Sequence, residues 1–214
     1  MKKMIVKVCG MRDPENISSV EALDVDLLGF IFYSGSPRVI PETDKSVAIV
    51  HGCKKSKVGV FVNETLEYIL DKAKLYQLNY LQLHGNEEPA LCSKLRQYGY
   101  FVIKAFSIAS AEDFDSTENY LDCSDYFLFD TKCAGFGGSG KRFNWSLLNE
   151  YKGANPFLLS GGLTPDCLCD IRQLSHSKFA GIDLNSGFEL SPGVKDVEKL
   201  KDFIAGIRTP DLFI

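Results

Sequence analysis

A thiol and a carboxyl, each closing a short apolar run, carry most of the chemical capacity of this chain. Cys9 ends Ile5-Val6-Lys7-Val8-Cys9, and Asp130 follows the run from Phe127 to Phe129. A thiol with an ordinary pKa of about 8.5 serves as a base near neutral pH once a cation lowers it, and a carboxyl starting near about 3.9 serves as an acid once desolvation raises it. Two such groups at one pocket suit proton shuttling, as in an isomerisation. The competing readings are a buried small hydrophobe for Cys9 and a turn cap for Asp130.

Polar residues also follow the other apolar runs. Tyr33 to Arg38, Asn63, Gln82 with His84, Lys104, Ser160-Gly161-Gly162 and Asp183-Leu184-Asn185-Ser186-Gly187 all stand at such ends. Arg38, in Ser36-Pro37-Arg38, offers a rigid fork for a planar carboxylate. The turns holding Gly161, Gly162, Asn185, Ser186 and Gly187 would let backbone N–H groups approach a phosphate. Lys7 shares strand parity with Cys9, so it should point the same way and need a carboxylate partner, either Asp183 or Asp130. Gln82 and His84 suit either a pocket wall or a structural hydrogen bond, whereas His51 and His176 read as surface residues.

Gly135-Phe136-Gly137-Gly138-Ser139-Gly140-Lys141 fills seven positions of the nucleotide-binding G-x-x-x-x-G-K-[ST] pattern, but Arg142 stands where the hydroxyl that reaches magnesium is required. The segment fits a loop covering the site better than a nucleotide-hydrolysing loop.

To bring these groups together the chain needs elements that end side by side. Eight runs rich in β-branched and aromatic residues begin at positions 5, 27, 58, 80, 102, 127, 157 and 181. Their spacing of 22 to 31 residues leaves room each time for one helix and two loops. Leu66, Ile69, Leu70 and Ala73 form a helical stripe behind a cap expected at Asn63. Asp13-Pro14 reads as an N-cap and first helical residue, Ser110 to Asp113 as a capping box, and Val197, Leu200, Ile204 and Ile207 as one face of the last helix. The segments 145–150 and 166–173 carry the weakest helical signals. Eight βα units without a linker favour one (β/α)8 TIM barrel domain over residues 1–214, ahead of an open doubly wound sheet. In such a barrel the functional groups gather at the carboxyl ends of the strands.

Composition narrows the function. Lys and Arg number 24 against 28 Asp and Glu, a formal net charge of −4, and no long basic run exists, so nucleic acid is not expected as a partner. The longest charge-free stretch, Gly153 to Pro165, has thirteen residues and falls short of a bilayer span. Lys7 interrupts the only apolar run near the start, so no signal-peptide core forms and a cytoplasmic protein is expected. Seven cysteines without a C-x-x-C pair, beside three histidines, make neither a disulfide framework nor a zinc site. All but Cys9 read as small hydrophobes.

Lys7-Val8-Cys9-Gly10, Gly29 to Tyr33 with Ser36-Pro37-Arg38, Leu81-Gln82-Leu83-His84-Gly85, Phe129-Asp130-Thr131, Gly137 to Lys141, Leu159 to Leu163 and Asp183 to Glu189 occur together, in order, across residues 5 to about 196. This set resembles the phosphoribosylanthranilate isomerases of tryptophan biosynthesis. The resemblance implies a TIM barrel that converts N-(5-phosphoribosyl)anthranilate to 1-(o-carboxyphenylamino)-1-deoxyribulose 5-phosphate by an Amadori rearrangement. It implies no metal and no organic cofactor, and a phosphosugar as partner of a monomer or homodimer. On it Asp130 aligns with the general acid and Cys9 with the general base. Arg38 aligns with the residue contacting anthranilate, Asp183 joins it as substrate-binding, and Gly161, Gly162, Asn185, Ser186 and Gly187 fall at the phosphate. Ser139 and Asn185 depart from the Thr and Ser common there. Other phosphosugar barrels, of the indoleglycerol-phosphate synthase or ribulose-phosphate epimerase type, lack the Cys and Asp pair, and a non-catalytic sugar-phosphate binder would need neither group.

Overall fold

The computed structural model describes residues 3–131 and 145–209. Eight strands, β1 (Ile5–Val8), β2 (Leu27–Ile31), β3 (Ser56–Phe61), β4 (Tyr80–Leu83), β5 (Phe101–Ile108), β6 (Tyr126–Thr131), β7 (Phe157–Ser160) and β8 (Phe179–Leu184), succeed one another around a closed parallel barrel. Closure is made by β1 and β8, with Ile5 opposite Gly181 and Lys7 opposite Asp183. Both faces of these strands are buried, one inside the barrel and one under the helices. That is why they read as continuous apolar runs rather than as alternating patterns.

Alternation inside the runs decides what faces the interior. Leu27, Val58, Ile103, Ala105, Leu128 and Leu158 fill the lower barrel as one cluster, and Cys9, Ile31 and Val60 form another. The opposite residues, such as Val8, Phe30, Phe61, Leu81, Phe127 and Phe129, pack outward in the large core beneath the helices. Ile103 and Ala105 face inward, so Lys104 between them faces outward. Its ammonium bonds the Leu83, Gly85 and Ala105 carbonyls and lies 3.2 Å from Glu87. Lys104 is therefore spent on the loop after β4 and does not join the residues at the barrel mouth.

The covering helices are α1 (Pro14–Glu21), α2 (Asp44–Gly52), α3 (Leu66–Leu75), α4 (Pro89–Gln97), α5 (Leu168–Gln173) and α6 (Val197–Arg208). Asp13 caps α1 as expected, accepting from the Asn16 N–H at 2.9 Å. The cap of α3 is Thr65, not Asn63. Asn63 has a left-handed backbone, φ 54°, and its side chain instead accepts from the Asn86 N–H, tying the loops after β3 and β4 together. Ser110 and Asp113 do form a capping box, but the segment it opens, Ala111–Tyr120, is a 3-10 helix. Ser116 and Thr117 turn their hydroxyls onto the carbonyls three residues back, Asp113 and Phe114, competing with α-helical bonding. The weakly signalled segments are 3-10 at Trp145–Glu150 and a 3-10 turn Pro165–Cys167 leading into α5.

A short antiparallel hairpin, β9 (Glu189–Ser191) and β10 (Val194–Lys195), stands between β8 and α6 and has no counterpart in the eight expected units. His51 is exposed as expected, whereas His176 is half-buried, its ring 5.2 Å from Phe157 and 5.9 Å from Tyr151. The glycine loop Gly135 to Lys141 and Cys133 lie outside the described residues. Among the described residues no helix is long and apolar enough to cross a membrane.

Candidate active site

Inward parity carries Cys9, Gln82, Asp130, Ser160 and Asp183 to the carboxyl ends of β1, β4, β6, β7 and β8, where they line one cavity of about 240 Å³. His84, two residues beyond Gln82, joins them, as do Gly161, Gly162, Asn185 and Ser186. The barrel thus brings the expected acid, the expected base and most of the expected phosphate turns to one mouth. A wider cavity of about 650 Å³ adjoins it across His84, above β3 to β5.

Cys9 is buried, and its side chain occupies the space that the missing Cβ of Gly29 leaves open, since a Cβ there would stand 2.9 Å from Sγ. Burial pushes the thiol up; Lys7 and Lys195 pull it down and Asp183 adds to the rise, so the net shift is upward. The cation asked for by a thiol base is present, but desolvation outweighs it. Lys7 itself is fully buried and pairs with Asp183 at 2.9 Å, so Asp183 rather than Asp130 is its partner. Burial alone would lower the Lys7 ammonium, yet Asp183 and Cys9 together leave it raised.

Asp130 keeps 32% of its side chain exposed and is not enclosed by apolar side chains. His84 Nε2 lies 3.5 Å from its Oδ2, and the Gln82 amide stands 2.8 Å from His84 Nδ1. With Gln82 donating there, the ring proton sits on Nε2, facing Asp130. The two residues for which the sequence left alternatives open are therefore both cavity wall and hydrogen-bonded pair.

The phosphate turns divide. Gly161 and Gly162 both adopt left-handed backbone, φ 89° and 63°, which L side chains avoid, and both reach the cavity. Gly187 does not line it; a Cβ there would overlap the Leu163 carbonyl oxygen, so this glycine lets the loops after β7 and β8 touch. Asn185 lines the cavity, its Oδ1 accepting from Lys195 Nζ at 2.7 Å and its carbonyl from the Phe188 N–H at 3.1 Å.

Arg38 is near the mouth without lining this cavity. Its loop folds back through the Ile40 N–H to the Ile31 carbonyl at 2.9 Å, and its Cδ lies where a Gly10 Cβ would be, 2.8 Å away. Its guanidinium is held by Glu189, at 2.9 and 3.0 Å from Nε and 2.7 Å from Nη2. Glu189, which holds Arg38, and Lys195, which holds Glu189 and Asn185, lie on the unforeseen hairpin and are contacts that sequence reading missed. The Pro192-Gly193 turn was the one signal for that hairpin.

Of the remaining described cysteines, Cys53, Cys92, Cys123 and Cys167 are buried filler as expected, whereas Cys169 is exposed and fills no part of the core. Burial pushes the Cys53 thiol up to about 11, aided by Glu21. No group of three His, Cys, Asp or Glu side chains among the described residues could hold a metal ion.

Comparison with known proteins agrees with this fold. Residues 6–206 match the model of the N-(5'phosphoribosyl)anthranilate (PRA) isomerase family. An N-(5'-phosphoribosyl)anthranilate isomerase of Parabacteroides distasonis is 54% identical over 209 residues, 97% of this chain and 95% of its own. That of Thermotoga maritima is 40% identical over 207 residues, 95% and 98% of the two chains. A crystal structure of phosphoribosyl anthranilate isomerase in complex with reduced 1-(o-carboxyphenylamino)-1-deoxyribulose 5-phosphate superimposes with a TM-score of 0.82 at 33% identity, covering 97% of this chain and 99% of that one. Monomers generated from the dimeric enzyme of Thermotoga maritima superimpose with a TM-score of 0.81 at 31% identity, covering 98% of this chain and 100% of that one. By sequence along nearly its whole length and by fold, the chain belongs to the N-(5'phosphoribosyl)anthranilate (PRA) isomerase family.

Proposed function

We propose that the chain isomerises N-(5'-phosphoribosyl)anthranilate to 1-(o-carboxyphenylamino)-1-deoxyribulose 5-phosphate, a step of tryptophan biosynthesis, with Asp130 as general acid and Cys9 as general base. The observation that carries the reading is that both groups line the same cavity together with Asp183 and the Gly161-Gly162 turn. Protonated Asp130 gives its proton to the ring oxygen; the C1–O bond breaks and the nitrogen lone pair forms a protonated Schiff base. The Cys9 thiolate then removes the C2 proton, and the electrons return to nitrogen as an enolamine. Loss of the C2 hydroxyl proton and gain of one at C1 give the ketone, and the balance closes when Asp130 regains a proton and Cys9 releases one.

The raised thiol suits this order of events. A thiol with a raised pKa is a strong base once ionised, and the cationic Schiff base formed next to it favours the thiolate at the moment of need. The phosphate, held at the turns after β7 and β8, and the anthranilate carboxylate, facing Arg38, fix the sugar at both ends. Binding energy remote from the reacting carbon then orients it between acid and base. Asp183, held by Lys7, is the acceptor available to a sugar hydroxyl.

A cytoplasmic monomer or homodimer acting on this phosphosugar suits the mildly acidic composition and the unpaired cysteines. The test is to generate phosphoribosylanthranilate in situ and follow the loss of its fluorescence on adding the protein. Acceleration over the spontaneous background is expected, and its absence would sink the reading.

A further inference from the structure

Arg38 is not an independent arm. Glu189, whose side chain is 5% exposed, takes the Nε–H and one Nη2–H of its guanidinium. The same carboxylate also accepts from Lys195 Nζ at 2.6 Å and from the Gly193 N–H at 3.0 Å. Lys195 is fully buried and donates further to Asn185, while its peptide is clamped in both directions by the Asn16 amide at 2.8 Å. The loop on the other side is fixed by Arg12, which bonds the Pro37 carbonyl at 2.9 Å.

Donor geometry and charge together limit what Arg38 can bind. A guanidinium grips a carboxylate through two parallel N–H bonds along its side edge, Nε with Nη2, or its end edge, Nη1 with Nη2. Glu189 occupies the side edge, so a second carboxylate can be gripped in this way only end-on. Glu189 alone would also neutralise Arg38 toward an anion. Lys195, sharing the same carboxylate, leaves the cluster with one net positive charge.

We propose that Glu189 and Lys195 are positioning residues that preset Arg38 for end-on capture of the anthranilate carboxylate, so that this triad selects substrates bearing an ortho carboxylate. The proposal rests on Arg38 facing that carboxylate in the proposed reaction. It predicts that Glu189 matters for the carboxylate of the ligand and not for its phosphosugar.

The test compares two probes, reduced 1-(o-carboxyphenylamino)-1-deoxyribulose 5-phosphate and its counterpart with an unsubstituted phenylamino ring, by titration against the whole chain. The unaltered protein is expected to prefer the carboxylated probe by roughly tenfold to a hundredfold, the range of a charge-assisted pair. Glu189→Gln should cut that preference at least about fivefold while the phenyl probe binds within about twofold of its original strength. Glu189→Asp keeps the charge but withdraws the carboxylate by one methylene, and should cut it too; this variant decides the matter where Glu189→Gln fails to fold. An unchanged preference in the Glu189 variants, with Arg38→Gln abolishing it, overturns the proposal and leaves the Arg38 reading standing. Equal weakening of both probes by the Glu189 variants overturns it in favour of a purely structural hairpin. An unchanged preference in Arg38→Gln overturns the Arg38 reading itself.

Discussion

Lys7 and Asp183, 176 residues apart in the chain, meet at 2.9 Å beneath the thiol of Cys9, the lysine fully buried and the carboxylate showing only its edge to the cavity. The contact exists because β1 and β8 close the barrel with these two residues in register. Removing one partner of a buried pair leaves a charge with nothing to offset its lost hydration. Lys7→Met is therefore expected to cost about 3–5 kcal/mol of stability in urea titrations. Lys7→Met combined with Asp183→Leu should recover part of that loss. A Lys7→Met protein as stable as the original would contradict the dependence of the buried pair on both partners.

The proposed acid and base can be tested separately. Cys9→Ala and Asp130→Asn are each expected to lower kcat at least about a hundredfold, the lower range for a positioned proton-transfer group. Asp130→Asn should leave the urea midpoint nearly unmoved, because the side chain is one-third exposed and near-isosteric with its replacement. Near-normal turnover in either variant would reject that residue's role.

The upward shift of Cys9 sets the sign of the pH dependence. The base is active when ionised, and burial has moved its pKa above the ordinary thiol value, so the thiolate fraction increases throughout the neutral range. The profile of kcat/KM should accordingly still be rising at about pH 8.5. Lys7→Met, which removes the cation that pulls the thiol down, should displace this limb further to the alkaline side. A base-side plateau below about pH 8 would contradict the assignment of that limb to Cys9.

Gln82 fixes which nitrogen of His84 carries the proton toward Asp130, and it does so with a buried amide whose Oε1 has no hydrogen-bond partner among the described residues. Replacing it by Leu should therefore change stability by no more than about 1 kcal/mol. Releasing the imidazole tautomer should nevertheless lower kcat several-fold with little change in KM. A steady-state comparison of Gln82→Leu with the original protein decides this, and unchanged kcat would reduce Gln82 and His84 to wall residues.

The eight strands were legible because burial on both faces leaves β-branched and aromatic residues in unbroken runs, and parity within each run already pointed Cys9 and Lys7 the same way. Helix starts were legible where a side chain caps locally, as at Asp13, but the expected cap at Asn63 went to a loop contact with Asn86, 23 residues away. The 3-10 character of Ala111–Tyr120 is set by hydroxyls bonding backward, which an apolar stripe does not reveal. The hairpin of β9 and β10 is too short to carry a period, so Glu189 and Lys195 left no mark on the pattern. Lys104 misled because a polar residue near a strand end can face either way.

The sequence by itself determined the number and order of the barrel strands, the helix cap at Asp13, and the candidates for acid, base and phosphate turns. All of these depend on spacing of a few residues or on residue type. Only the tertiary structure decided that Lys7 pairs with Asp183, that Arg38 arrives already held by Glu189, and that Gly187 joins two loops instead of facing the cavity. Those partners lie up to 176 residues apart. They come within bonding distance only when the barrel closes, and no local rule of chain geometry encodes which groups will then face one another.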